Sequence, residues 1–216
     1  MFTWISKPAH RVAFGLIALL SLTACEGAGF GLGAPRGDSR ISVAGSEVVV
    51  AGPRGYCVDK SATRDAADSA FVLMASCASV TQSARAPTPQ VAGVLVASVA
   101  APDGGAPVAE SMEAFGAFFN SDAGRAALSQ TGQAETVEVL ETSAAEGVFF
   151  VHARDSSDGL AEDVRDEYWR ALFDVKGRLV SASVFGTEAQ PFSTDAGRAL
   201  LAQFVAQIRA ANAGNI

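Results

Sequence analysis

Two histidines and three cysteines in 216 residues leave few groups able to do nucleophilic, redox or metal chemistry. His10 falls in a leader-like N-terminal stretch, so His152 is the one imzidazole-bearing residue left to act as a general base in the rest of the chain. It lies in Val148-Phe149-Phe150-Val151-His152-Ala153-Arg154, where strand alternation puts it on one face with Val148, Phe150 and Arg154. A hydrolase built on it would need a serine and an acid beside it, and no Gly-x-Ser-x-Gly elbow supplies the serine. The alternative hydrolytic device is a carboxylate pair converging from distant positions, which no sequence spacing singles out. A catalytic zinc site is excluded within one chain, because it usually takes two or three histidines or a cysteine cluster in their place.

Two further groups of charged residues could hold a ligand. Asp122-Ala123-Gly124-Arg125-Ala126 recurs as Asp195-Ala196-Gly197-Arg198-Ala199, each preceded by Ser121 or Thr194 and followed two residues later by Leu128 or Leu201. Both read as helix starts with a capping hydroxyl and a closely packed glycine. Arg125 and Arg198 brought together would form a site for a small anionic ligand. The acidic stretch 155–167 offers Asp155, Asp158, Glu162 and Asp163 as an irregular calcium site. An EF-hand fails there, since Gly159 in the sixth place puts Arg154 first and Arg165 twelfth. No cofactor is called for by any motif.

Residues 1–24 have a basic start with Lys7 and Arg11, an apolar run from Val12 to Leu22, and small residues before Cys25. That run is well short of the roughly 20 apolar residues a spanning helix needs. Leu22-Thr23-Ala24-Cys25 resembles the bacterial lipoprotein box. The resemblance implies cleavage before Cys25, lipid on its sulfur, and attachment to a cell-envelope membrane with the protein facing the periplasm. Glu26 follows in place of the aspartate that favours inner-membrane retention in that family, which leans toward the outer membrane. Several acyl chains give durable anchoring where one is marginal. Losing the leader takes Lys plus Arg from 16 to 14 against 23 acids, moving the net charge from -7 to -9. Such a surface excludes a nucleic-acid footprint and disfavours broad contact with anionic headgroups. Cys57 and Cys77 then remain as an even pair in an exported protein and are expected to be bridged. A bridge with that separation stabilises by about 3 kcal/mol through loop entropy.

Residues 25–40, rich in glycine, read as a tether typically extending about 20 Å, and 41–216 as one globular domain. A content of 49% hydrophobic residues excludes extensive disorder. Strands are expected at 46–51, 70–76 and 91–100. A helical stripe of Val108, Met112, Phe115 and Phe119 begins at Pro107, and a second short helix at Ser121. Two hairpins follow, 135–142 with 148–154, and 167–175 with 178–186 across Lys176-Gly177. In the latter, Tyr168 and Trp169 face opposite ways, so one is expected to point away from the core. Residues 195–211 form an amphipathic helix. The sum is an α+β fold, an antiparallel or mixed sheet with packed helices and a closing C-terminal helix. The layout of 137–211 resembles PsbP/Mog1-like domains, which implies an accessory or interaction module. The leading expectation is a non-enzymatic, lipid-anchored envelope protein that binds another envelope protein. The rivals are a periplasmic hydrolase using His152 or a carboxylate pair, and a carrier of a small anionic ligand.

Overall fold

The computed structural model describes residues 37–102, 105–157 and 163–214, all within one structural unit, 33–216. Its centre is an antiparallel sheet of eight strands. They are β3 (Tyr56–Val58), β4 (Arg64–Asp65), β5 (Ala70–Ser76), β6 (Val94–Val99), β7 (Val137–Ala145), β8 (Val148–Asp155), β9 (Val164–Val175) and β10 (Arg178–Thr187). The spatial order is β3-β5-β6-β10-β9-β8-β7, with β4 paired to β5. A separate ribbon pairs β1 (Arg40–Val43) with β2 (Val48–Ala51). Every strand pairing among the described residues is antiparallel, so of the two sheet types expected the mixed one is not realised there. The fold is α+β, with a C-terminal helix and one disulfide.

Turn chemistry fixes the two long hairpins. Glu146-Gly147 and Lys176-Gly177 have φ of 52° and 70°, and 51° and 74°. Both residues of each pair are therefore left-handed, the geometry whose twist matches two antiparallel strands. Glycine in the second place removes the Cβ clash that this conformation otherwise brings.

Strand alternation gives each face of the sheet its own core. On one face Val72, Met74, Leu95, Ala97, Val148, Phe150, Trp169, Ala171, Phe173, Val180 and Val184 meet α4 (Thr194–Asn212) and the β1–β2 ribbon. Helix α4 contributes the stripe Leu200, Leu201, Phe204, Val205 and Ile208, all buried, and that burial is what makes the segment helical here. Its far end is tied to the ribbon by Asn212, whose amide accepts from the Val49 N–H at 2.9 Å and donates to the Val49 carbonyl at 2.7 Å. On the other face Phe149, Val151, Ala153, Tyr168, Leu172 and Phe185 meet a 3₁₀ turn (Val108–Glu110), α2 (Met112–Phe119) and α3 (Asp122–Leu128). The expected helix from Pro107 is thus broken at Ser111, but its apolar stripe packs as its spacing requires.

Two expectations need correction. Tyr168 and Trp169 do face opposite ways, yet neither is exposed, at 1% and 2%, because both faces of the sheet are covered at that point. The Tyr168 hydroxyl donates to the Leu128 carbonyl at 2.8 Å, and the Trp169 indole N–H to the Thr194 carbonyl at 3.1 Å. The hydroxyl capping α4 belongs to Ser193, which accepts from the Ala196 N–H at 3.3 Å, rather than to Thr194. Ser121 caps α3 in the expected way, accepting from the Gly124 N–H at 3.2 Å. Cys57 and Cys77 are bridged, joining β3 to α1 (Cys77–Thr81) beside Ala86.

Candidate functional site

The face covered by α4 gathers His152, Glu167, Arg154, Trp169 and Arg198 around the middle of β8 and β9. The register pairs His152 with Trp169 and Arg154 with Glu167. The imidazole, 6% exposed, stacks on the indole with ring centres 4.4 Å apart and planes 5° from parallel. Its Nε2 lies 2.9 Å from Glu167 Oε1, while Arg154 Nη2 donates to Glu167 Oε2 at 3.1 Å. Burial, the largest single influence on Glu167, pushes its carboxyl up. The hydrogen bonds from Arg154 and His152 and their charges outweigh that and hold it below the usual carboxylate range. A small cleft of about 140 Å³ opens here, lined by His152, Glu167, Arg165, Phe192 and Thr194 among others. It collects an oriented histidine, an ionised acid and a hydroxyl-bearing residue. It does not collect two carboxylates of raised pKa.

Arg198 lies on the other side of this cluster. Its guanidinium sits 3.9 Å above the Phe150 ring centre and 5.0 Å from that of Trp169, and Nη1 donates to Ser143 Oγ at 2.9 Å. The second cation on this helix face is Arg209. Eleven residues is close to three helical turns, so Arg198 and Arg209 share a stripe of α4 about 16 Å long. Arg209 lies 5.5 Å from the Phe173 ring centre and donates to the carbonyls of Glu146 and Gly147, both at 2.9 Å, in the β7–β8 turn. Both arginines line a cleft of about 310 Å³ whose walls also include Glu146, Val148, Phe150, Ala202, Val205 and Ala206. Among the described residues neither arginine forms an ion pair. Each is held by neutral oxygens and aromatic faces, so its charge is placed but not neutralised.

Arg125 is elsewhere. It stands on α3, against the opposite face of the sheet, where it pairs with Asp122 and donates to the Asn120 carbonyl at 2.9 Å. The repeat that suggested pairing it with Arg198 marks two helix starts that pack on opposite faces. Asp155 is buried at the end of β8 and accepts from the Gln130 N–H and the Thr136 hydroxyl, each at 2.7 Å. Asp163 begins the approach to β9, and its carbonyl accepts from the Glu188 N–H at 2.9 Å. Asp158, Glu162 and Cys25 lie outside the described residues. Among the described residues no three of His, Cys, Asp and Glu cluster so as to hold a metal ion.

Arg209 and Glu167 are the functional candidates that sequence reasoning missed. The first was signalled by its helical spacing from Arg198. The second depended on β8 pairing with β9, which no short turn announces. The chain matches no family model, no curated protein and no solved structure.

Proposed function

We propose that this protein is a lipid-anchored binding module of a bacterial cell envelope, attached through Cys25 and facing the periplasm, which holds an anionic counterpart rather than transforming it. The observation that supports this most is the cleft between α4 and the β7–β8 hairpin. It is lined by both Arg198 and Arg209, neither of them ion-paired among the described residues, in a chain whose net charge is -7. In an acidic protein two such arginines in one cleft attract and orient an anion, while the rest of the surface repels it. A tether to the membrane would keep this cleft near other envelope components at high local concentration.

Native mass spectrometry of the protein, gently extracted from its own membranes, tests the reading. The wild type should carry a bound anionic component that is lost when Arg198→Gln and Arg209→Gln are combined. A ligand-free wild type that hydrolyses ester or peptide substrates, with activity abolished by His152→Ala, would replace the binding module with the hydrolase.

A further inference from the structure

We infer that the occupant of the Arg198–Arg209 cleft is a small single-chain amphiphile with a carboxylate head, an inference that rests on the binding-module reading above. The two ends of the cleft are not equivalent. Arg209 commits one N–H of each terminal nitrogen to the Glu146 and Gly147 carbonyls, which ties its fork to the β7–β8 turn and leaves it less free than Arg198 to turn toward a head group. Arg198 spends Nη1 on Ser143 Oγ, with its guanidinium carbon over the Phe150 ring, which leaves Nη2 and Nε without a hydrogen-bond partner among the described residues and open to an acceptor. A planar fork of that kind matches a carboxylate in two-point geometry. The head therefore belongs at Arg198.

The floor between the arginines is apolar. Val148, Phe150 and Val205 are buried beneath it, and along α4 the rim positions 202 and 206 are alanines, too small to roof it over. A purely polar anion would leave the exposed Ala202 and Ala206 methyls above this floor wet, whereas a hydrocarbon chain running from Arg198 toward Arg209 would cover them. The volume of about 310 Å³ is at the lower end of the roughly 300–1,000 Å³ typical of small-molecule sites. That favours one chain over a two-chain lipid. Two arginines against the one carboxylate of Glu146 leave the lining net positive, the charge complementarity that selects an acid over an alcohol of the same length.

The test uses the intact anchored protein in nanodiscs of neutral phospholipid and a decanoate carrying a photoreactive diazirine. Covalent attachment is mapped by peptide mass spectrometry. Label is expected on the segments around Val148 and Phe150 and along 198–209. Unlabelled decanoate should compete at least about tenfold better than decanol, the difference a charge-assisted bidentate contact can supply, and acetate should not compete. Arg198→Gln should cut labelling by about tenfold. Because that change also removes a stacking contact, Ala202→Glu serves as the second variant. It puts an opposing charge on an exposed helical position and should abolish labelling without lowering Tm. Equal competition by decanol and decanoate, label outside the cleft, or undiminished labelling of folded Ala202→Glu would overturn the inference. Competition by acetate or succinate equal to that by decanoate would also overturn it, while leaving an anion-binding module standing. If no anion competes for the cleft, both readings fall.

Discussion

Asp155 could be offered to a metal from its sequence surroundings, but the fold spends it otherwise. At 1% exposure it accepts from the Gln130 and Ser157 N–H groups and from the Thr136 hydroxyl, fastening the segment after α3 to the end of β8. Burial is the largest influence on its carboxyl and acts upward. The three donors together act downward and prevail, so its pKa is lowered. A depressed folded pKa means that the unfolded chain takes up the proton first as pH falls. The stabilisation is then complete above the unfolded value of about 3.9 and is lost as pH falls through the folded value. Asp155→Asn should cost about 1–3 kcal/mol at neutral pH. Denaturant melts at pH 7 and again near pH 3 should show the gap between the two proteins narrowing in acid. A gap unchanged between the two pH values would show that the carboxylate charge contributes nothing. Glu167 follows the same sign, with Arg154 and His152 as its donors, and its ionised state keeps His152 oriented.

At the scale of elements, three helical glycines with different surroundings separate propensity from packing. A Cβ on Gly124 in α3 would lie 1.9 Å from the Phe118 carbonyl oxygen, while a Cβ on Gly116 in α2 would meet nothing within 4 Å. Gly116→Ala should therefore stabilise by up to about 1 kcal/mol through helix propensity. Gly124→Ala should destabilise by about 1–3 kcal/mol, because backbone must move. Thermal melts of the two variants decide it, and equal shifts of the same sign would refute the close approach. Gly197 plays the same part under Phe192 and Trp169. The repeated Asp-Ala-Gly-Arg-Ala segment was thus legible as two helix starts with tight glycines, although the cap of the second is Ser193 and not the expected Thr194. Nothing in it shows that α3 and α4 pack on opposite faces, so the partner of Arg198 had to be read three turns along its own helix. Strands of period two and glycine turns were equally legible. β5 falls on 70–76 as its composition requires, and both two-residue turns lie where the chain places glycine. What stayed hidden depends on pairing across long connections: β9 beside β8, Glu167 beside His152, and the helices over Tyr168.

For the whole molecule, the sheet order separates two ends with different tasks. The described chain starts at Gly37 and runs beside β3, where the Asp38 carbonyl accepts from the Val58 N–H at 2.8 Å, next to the disulfide. The arginine cleft borders the β7–β8 hairpin, at the other end of the strand order from β3. A chain anchored through Cys25 would thus be held from one edge of the sheet and present its cleft at the other. A chain cut before Cys25 would carry a net charge of -9, from 14 basic and 23 acidic residues, and would have little electrostatic reason to lie on an anionic bilayer, so under the proposed anchoring lipid would do the holding. Intact-mass analysis of the protein recovered from membranes should therefore find a chain that begins at Cys25 and carries acyl groups. High salt should fail to release it, because screening weakens surface ion contacts but leaves buried acyl chains in place. Cys25→Ser should accumulate with residues 1–24 still attached, since the processing that the Leu22-Thr23-Ala24-Cys25 segment resembles requires the modified cysteine. A wild-type chain that begins at another residue, or that lacks acyl mass, would remove the anchor. The cleft would then have to be explained for a protein free to diffuse.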